Sequence, residues 1–137
     1  MSSNQTILDA TICVYQRSFP DSTLYNFGVD LTRLAYQNNV KIGVGTDLSS
    51  DNYRADAPLY REIIALNKDV GMAPMDIIQS ATMINAEMIG QEQEIGSIEV
   101  GKKANLVILN ENPIIDINNI KTVLMSCCCY PSALEHI

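Results

Sequence analysis

The stretch Val40-Lys41-Ile42-Gly43-Val44-Gly45-Thr46-Asp47 decides the fold of this chain. It is a short β-type segment that stops at a threonine–aspartate pair. Its two glycines predict a strand that is tightly packed on one face. A carboxylate that follows such a strand lies where parallel α/β proteins collect catalytic groups. Asp47 is therefore the leading candidate for a functional residue.

The spacing alone leaves a second interpretation of Asp47 open. Aspartates in loops often accept a hydrogen bond from their own backbone two residues further on, without any catalytic role. A carboxylate can equally bind a divalent metal and accept a proton from metal-bound water.

The segment before the deciding stretch predicts a strand followed by a helix. Residues 7–15 are rich in β-branched and aromatic side chains, and Asn38-Asn39 suits a left-handed helix exit. A strand–helix–strand order predicts a parallel pair with a right-handed crossover. Two parallel strands cannot form a sheet with both faces covered, which indicates part of a larger unit. The helix over residues 23–37 is predicted from the spacing of Phe27, Leu31, Leu34 and Ala35.

Two further helices are predicted after the polar loop at residues 48–57. Pro58 suits the first turn of one helix, and Gly71 suits its end. Pro74 suits the start of the next, which Gly90 ends. The apolar stripe of the first is Leu59, Ile63, Leu66 and Val70, and that of the second is Ile77, Ile78, Ala81, Ile84, Met88 and Ile89.

The last third of the chain predicts short β elements. Residues 95–100 alternate between apolar and polar types, and Gly101-Lys102-Lys103 suits a hairpin turn. Residues 104–109 are typical of a buried strand, and residues 121–129 of a last strand.

Composition excludes several classes of protein. The chain has 137 residues, with 16 acidic against 9 basic side chains and a net charge of −7, which argues against nucleic-acid binding. No apolar run approaches the ~20 residues of a membrane span, and the first residues lack the features of a signal peptide. We expect a soluble, cytoplasmic protein. The single histidine, His136, is penultimate, which excludes any mechanism that needs two histidines from this chain.

The cysteines fit an intracellular chain. Cys13 stands alone, whereas Cys127, Cys128 and Cys129 are consecutive and lack the spacing of a disulfide framework or a zinc knuckle. Small buried hydrophobic side chains in strands are one interpretation, and a redox or metal role is the other.

The loop after Asp47 carries further candidates, each with an alternative. Asp51 is a candidate ligand or a solvated carboxylate, and Asp56 is a candidate helix cap. Three side chains suit either contact with a substrate carboxylate or ring, or a place on a surface loop: Tyr53, Arg54 and Tyr60.

Three blocks of the sequence resemble the C-terminal part of metal-dependent amidohydrolases of the imidazolonepropionase and prolidase type. Residues 40–47 resemble the eighth barrel strand with its terminal aspartate. Residues 71–86, ending in Ala81-Thr82-Met83-Ile84-Asn85-Ala86, resemble the last helix. Residues 95–109, followed by Asn112-Pro113, resemble the return of the chain into a small flanking β domain. Residues 7–11 then correspond to the seventh strand.

The resemblance implies an α/β fold made of the last strands and helices of a (β/α)8 TIM barrel, followed by part of a small flanking β domain. The barrel is then incomplete. Residues 1–92 would form the C-terminal part of the barrel, with strands 7 and 8 and their helices. Residues 93–137 would form part of the flanking β-sandwich domain.

The resemblance also implies a chemistry. Such enzymes hold one or two divalent metals, usually zinc, on several histidines and an aspartate that matches Asp47. Asp47 would be both a metal ligand and the general base for a metal-bound water. That water attacks the carbonyl carbon of a carbon–nitrogen bond in a small-molecule amide.

Length and histidine content limit this expectation. A complete barrel needs roughly 250 residues, and a catalytic zinc normally takes three protein ligands. We therefore expect the isolated chain to be inactive and not to retain the metal alone. The alternative is a non-catalytic or half-barrel subunit that completes another chain, with self-association or the missing barrel portion as its partner.

Overall fold

The computed structural model describes residues 6–14, 22–47 and 59–128. The predictions on Asp51, Tyr53, Arg54, Asp56 and Pro58, and those on Tyr15, Cys129 and His136, lie outside the described residues. The strands are β1 (Ile7–Ala10), β2 (Lys41–Val44), β3 (Asn105–Leu109) and β4 (Val123–Cys128). The α-helices are α1 (Ser22–Gln37), α2 (Tyr60–Ala65), α3 (Pro74–Gln79) and α4 (Asn85–Met88). Two π-helical turns (Leu66–Val70 and Ser80–Ile84) and a 3-10 helix (Ile117–Lys121) complete the elements.

Strands β1 and β2, which helix α1 connects, pair in parallel, as predicted from the strand–helix–strand order. Leu8 pairs with Ile42, and Ala10 pairs with Val44. Strand β1 is shorter than predicted, because it ends at Ala10 and a helical turn follows at residues 12–14.

The hydrophobic core lies between one face of this sheet and the helices. Ala10, Ile42 and Val44 project to that face and are each at most 3% exposed. The helical side chains packed against them include Val29, Ile63, Leu66, Met72 and Ile77. Asp9 and Gly43, which pair in the register, project to the opposite face.

Helix α1 buries a different face from the one that its apolar spacing indicates. Phe27 and Leu34 are 65% and 58% exposed, whereas Val29 and Thr32 are buried. The buried side of α1 faces the second half of the chain. On this side the hydroxyl of Tyr25 donates to Asp69 at 2.5 Å.

The helices after residue 59 begin and end close to the predicted glycines and proline. Gly71 takes φ 88°, and the N–H of Met72 binds the carbonyl of Leu66 at 3.0 Å, which closes the helix end. Pro74 begins α3. The prediction that Ile89 faces inward is wrong, because it is 59% exposed. Leu59 and Met88 are each 38% exposed, and the Sδ atom of Met88 lies against Gly43 of β2.

The β elements after residue 90 differ from the prediction in two ways. Residues 95–100 form turns and bends rather than a strand, and Ile98 is 89% exposed. Strand β3 pairs antiparallel with β4, so Gly101-Lys102-Lys103 does not join two strands. Strand β3 is also more exposed than the buried type predicted, with Val107 61% exposed. The predicted last strand is present as β4.

Over the part of the chain that the structure describes, the longest helix is too short and too polar to cross a lipid bilayer.

Candidate active site

Asp47 lies beyond the carboxyl end of β2, as its place in the sequence predicts. Strand β2 ends at Val44, and Asp47 follows three residues later with an exposed side chain. Its backbone adopts φ 46°, a left-handed conformation that is uncommon outside glycine and is several-fold enriched in aspartate. The chain therefore turns sharply at this residue, directly above the sheet edge.

A second carboxylate, that of Asp9, lies on the neighbouring strand close to Asp47. Asp9 belongs to β1 and pairs with Gly43 of β2. Burial raises the pKa of Asp9, and the negative charge of Asp47 raises it further. The parallel register thus brings two acidic side chains to the carboxyl ends of adjacent strands. Sequence analysis did not select Asp9, although its place on the strand before Asp47 was a usable signal.

The two glycines of β2 make room for the side chains around them, as the prediction of a crowded strand face required. A Cβ atom at Gly45 would lie 2.7 Å from Oδ1 of Asp9. A Cβ atom at Gly43 would lie 3.0 Å from Oδ1 of Asn85 and 3.2 Å from Sδ of Met88. Real Cβ contacts at 2.7 Å do not occur, so Gly45 sets the position that the Asp9 carboxylate can take.

Asn85 fixes the end of β2 through both polar groups of its side chain. Its Oδ1 accepts from the N–H of Val44 at 2.9 Å, and its Nδ2 donates to the carbonyl of Val44 at 2.9 Å. The Val44 groups point away from β1, because it is the N–H of Gly45 that binds the carbonyl of Ala10. The amide of Asn85 therefore replaces a neighbouring strand at the point where β2 leads to Asp47.

Glu62 anchors the segment that follows β1. Its side chain is 1% exposed and accepts from the N–H groups of Ile12 at 2.7 Å and Cys13 at 2.8 Å. Burial raises the pKa of Glu62, although these two hydrogen bonds oppose the rise. The residue was not singled out from the sequence, because its partners lie about fifty positions away.

Cys13 is not a nucleophile in this arrangement. Burial, together with the charge of Glu62 and a hydrogen bond to it, raises the pKa of the thiol to about 12. The thiolate is the reactive form of cysteine, and it is scarce at neutral pH under these conditions. Cys13 lies on the helical turn after β1 rather than within a strand.

The described residues do not supply a complete site for a catalytic metal. Zinc in hydrolases takes three protein ligands and a water. Among the described residues, no group of three histidine, cysteine, aspartate or glutamate side chains is close enough to hold an ion. Asp9 and Asp47 are carboxylates without a nitrogen ligand beside them in that part of the chain. Tyr60, a candidate for substrate contact, lies with its ring under the ammonium group of Lys121, whose Nζ is 5.5 Å from the ring centroid.

A cavity of about 260 Å³ lies at the opposite end of β2. Lys41, the first residue of β2, lines it together with Glu87, and these two side chains form an ion pair at 2.6 Å. Lys102 lines it as well and donates to the carbonyl of Glu92 and to Ser97 Oγ, both at 2.6 Å. The cavity is separate from the candidate active site, because it lies at the other end of β2. Both lysines already have protein partners, so neither is an unpaired cation in the cavity.

Comparison with known proteins finds relatives that match parts of this chain. A 5'-deoxyadenosine deaminase of Methanobrevibacter smithii is 38% identical over 82 residues, which are 55% of this chain and 19% of that protein. An imidazolonepropionase of Alkaliphilus oremlandii is 33% identical over 98 residues, which are 64% of this chain and 23% of that protein. The chain thus spans about a fifth of the length of these curated relatives.

Solved structures match almost the whole chain. A Xaa-Pro dipeptidase with bound methionine in its active site superposes with a TM-score of 0.78 at 31% identity, covering 91% of this chain and 34% of that one. An ochratoxinase of A. niger superposes with a TM-score of 0.73 at 23% identity, covering 89% and 30%, and shows the shared fold alone. The mixed α/β fold of this chain is therefore one that these solved structures share.

The resemblance that residues 40–109 indicate is confirmed at the level of the family. The family described as the amidohydrolase family matches residues 20–127, a range that includes Asp47, Asn85 and the buried Glu62. This range covers well over half of the 137 residues. The chain belongs to the amidohydrolase family.

Proposed function

We propose that this chain is the C-terminal portion of a metal-dependent amidohydrolase that hydrolyses carbon–nitrogen bonds in small molecules. In the intact enzyme, Asp47 would serve as a ligand of a divalent metal, most simply zinc, and as the general base for its bound water. The observation that carries the proposal is the position of Asp47 after β2, within the residues that the family matches.

The architecture of the proposal is an incomplete TIM barrel. Residues 1–92 supply the last two barrel strands with their helices, and residues 93–137 supply part of the flanking β domain. The match to about a third of the Xaa-Pro dipeptidase chain supports this interpretation. The backbone groups of Ile7 and Asp9 also point away from β2, toward the side where a preceding strand would pair.

The isolated chain is inactive in this proposal. Two carboxylates at the strand ends, with a single histidine in the whole sequence, supply too few ligands for a hydrolytic zinc. The missing ligands would come from polypeptide that is not part of this sequence.

The alternative is a subunit that completes the barrel of another chain or that has a scaffold role without turnover. The open edge of β1 favours it over an unrelated fold, because a two-stranded parallel sheet is rarely a finished structure. A histidine-bearing polypeptide that purifies with the chain would favour this alternative.

Metal content and turnover test the proposal. We expect the purified chain to hold well under one equivalent of zinc by elemental analysis, and not to hydrolyse an Xaa-Pro dipeptide, imidazolone propionate or 5'-deoxyadenosine. The proposal is wrong if the chain binds stoichiometric zinc and hydrolyses one of these substrates, and if Asp47→Asn abolishes that hydrolysis. The chain would then be a complete enzyme. Asp30→Asn is the matched control, since Asp30 is an exposed aspartate on α1, away from the strand ends.

A second experiment tests the assignment of Asp47. The segment of the Methanobrevibacter smithii deaminase that matches this chain can be replaced by the corresponding residues of this chain, including Asp47. We expect the folded chimera to bind zinc, and the same chimera with Asp47→Asn to lose metal affinity. A chimera that binds zinc equally with either residue would remove Asp47 from the site.

A further inference from the structure

The chain that leaves strand β1 is attached at two points to the helix that follows strand β2. Helix α2 and the π-helical turn Leu66–Val70 form one continuous helical segment, which we call the α2 run. The α2 run comes after the loop that begins at Asp47, whereas the chain that leaves β1 leads through residues 12–14 toward helix α1. Two carboxyl groups of the α2 run, those of Glu62 and Asp69, make the attachments.

Glu62 makes the first attachment, just after β1 ends. It lies in the first turn of α2 and accepts from the N–H groups of Ile12 at 2.7 Å and Cys13 at 2.8 Å. Strand β1 ends at Ala10, so these N–H groups begin the helical turn at residues 12–14. The first N–H groups of a helical turn have no acceptor within the turn itself. Glu62 supplies that acceptor and thereby sets the direction in which the chain leaves β1.

Asp69 makes the second attachment, where helix α1 begins. Tyr25 lies in the first turn of α1, and its hydroxyl donates to Asp69 at 2.5 Å. Further along α1, the Arg33 guanidinium donates to the carbonyl of Val70 at 3.3 Å. The start of α1 is therefore bound to the α2 run, and the connection from β1 to α1 is held at both ends.

The two attachments belong to one cluster around Cys13. Burial raises the pKa of the Cys13 thiol, and the negative charges of Glu62 and Asp69 raise it further. Burial, the hydrogen bond to Asp69 and the charge of Glu62 likewise raise the pKa of Tyr25. A charge shifts a pKa in this way only when it lies close to the titrating group. Both carboxyl groups therefore lie near the same part of the chain.

The burial of Glu62 indicates a role other than core packing. Its side chain is 1% exposed, and its hydrogen-bond donors in the described chain belong to Ile12 and Cys13 rather than to a lysine or an arginine. An apolar side chain of similar size would cost less free energy to bury than a carboxyl group without a cation. After burial, the charge of Asp9 also raises the pKa of Glu62, so Glu62 lies within electrostatic reach of the strand-end carboxylates.

We propose that Glu62 and Asp69 are positioning residues of the candidate active site, which hold the chain that leaves β1 at a fixed distance from Asp47. The inference rests on the function proposed above, because the segments that follow barrel strands carry the residues that act on a substrate. Neither Glu62 nor Asp69 is a proposed metal ligand. Loss of either attachment should therefore change the geometry around the substrate and leave the metal bound.

Amide hydrogen exchange of the full chain, followed by NMR, tests the first attachment. Glu62→Gln should speed exchange at least about tenfold at Ile12 or at Cys13, because glutamine keeps one acceptor oxygen and turns an NH2 group toward the second N–H. Exchange within β2 should not change. Glu87→Gln is the matched control, as the partner of Glu87 is Lys41 at the other end of β2. Unchanged exchange at both Ile12 and Cys13 would overturn the attachment.

The kinetics of an intact enzyme test the positioning role. The Xaa-Pro dipeptidase superposes on 91% of this chain, so its matching segment can be replaced by this chain. In the chimera, Glu62→Gln and Tyr25→Phe should each lower kcat for an Xaa-Pro dipeptide at least about fivefold at unchanged zinc content, because misplaced groups slow the reaction. Tyr36→Phe is the matched control and should stay within about twofold of the wild type. The hydroxyl of Tyr36 donates to Asp76 from the last turn of α1, away from the connection.

The outcomes separate this inference from the proposed function. A folded chimera with neither zinc nor turnover would overturn the proposed function, and the positioning role with it. An active chimera in which Glu62→Gln and Tyr25→Phe both keep the wild-type kcat would overturn the positioning role alone. A purely structural role is the explanation if Tyr36→Phe lowers kcat as much as Tyr25→Phe does when their urea midpoints are equal, and that result also overturns the inference.

Discussion

The side-chain amide of Asn85 binds both the N–H and the carbonyl of Val44, each at 2.9 Å. One residue of helix α4 thereby satisfies both backbone groups that β2 presents on its outer side at this position. The chain then continues through Gly45 and Thr46 to Asp47. This pair of hydrogen bonds, which we call the Asn85 clamp, therefore sets where the loop that carries the Asp47 carboxylate begins. A free strand end would let this segment move.

Removing the clamp should destabilise the fold. Asn85→Ala leaves two half-buried backbone groups without their partner, at a cost of about 1–3 kcal/mol in the free energy of unfolding. Asn85→Asp should cost a comparable amount at neutral pH, because its carboxylate accepts from the Val44 N–H but repels the Val44 carbonyl. Urea unfolding measures both. Asn38→Ala is the control, since the Asn38 amide makes an exposed hydrogen bond to Leu34. Equal effects for Asn38→Ala and Asn85→Ala would contradict the clamp.

The buried carboxyl of Glu62 should give the stability a defined pH dependence. Burial raises the pKa of Glu62 in the folded chain above its ordinary value of 4.5. At pH values between 4.5 and the pKa of the folded chain, the folded state therefore binds more protons than the unfolded state. The contribution of this shift to the free energy of unfolding is fully present below pH 4.5 and is lost as pH rises through the pKa of the folded chain.

Glu62→Gln isolates this contribution. The variant is less stable at every pH, because one face of its amide opposes the N–H groups of Ile12 and Cys13. The gap to the wild type should narrow as pH rises above 4.5, measured as the urea midpoint at a series of pH values. Glu94→Gln is the control, as Glu94 is exposed and its pKa is lowered by Lys103. A gap that widens with pH would reverse the assigned direction.

The thiol of Cys13 should react slowly with alkylating reagents. Its pKa of about 12, against an ordinary value of 9.0, leaves about a thousandfold less thiolate at pH 8 than an unperturbed cysteine has. Peptide mass spectrometry after brief iodoacetamide treatment measures this. Cys127, which lies on strand β4 with an exposed side chain, provides the comparison within the same molecule.

Glu62→Gln should speed the reaction of Cys13, because the variant removes the negative charge beside the thiol. The rate at Cys127 should not change. If Cys13 reacts as fast as Cys127 in the wild-type chain, then neither burial nor Glu62 raises the pKa of its thiol.

The sequence pattern predicted where helices and strands begin and end better than it predicted which face of each one is buried. Asn39 adopts the left-handed conformation expected at the end of α1, with φ 57°, and Gly71 does so at its own helix end. These outcomes depend on local backbone preferences, which a short stretch of sequence contains. Which side of α1 is buried depends instead on packing against segments that are distant in the sequence, such as the one that carries Asp69, 44 residues from Tyr25.

The candidate site was predicted only in part for the same reason. Asp47 follows a recognisable strand, so its position after β2 was predicted from local pattern, and its role remains a prediction. Asp9 comes beside it through the parallel register, and Glu62 reaches back to Ile12 across 50 residues. Residues 95–100 alternate between apolar and polar side chains, which is typical of a strand. They form turns and bends, because no strand of the described chain pairs with them.

The contact between Gly45 and Asp9 makes a last prediction about the site. Gly45→Ala places a Cβ atom 2.7 Å from Oδ1 of Asp9, so the carboxylate must move or the strands must separate. Because Asp9 is exposed and its carboxylate can rotate away, we expect a loss of roughly 1 kcal/mol in the free energy of unfolding, at the low end for overpacked positions. Asp9→Gly removes the carboxylate, and the double variant should recover most of the loss that Gly45→Ala causes. The coupling energy of this double-mutant cycle, measured by urea unfolding, is therefore the decisive quantity: a value near zero would mean that Asp9 does not lie against Gly45.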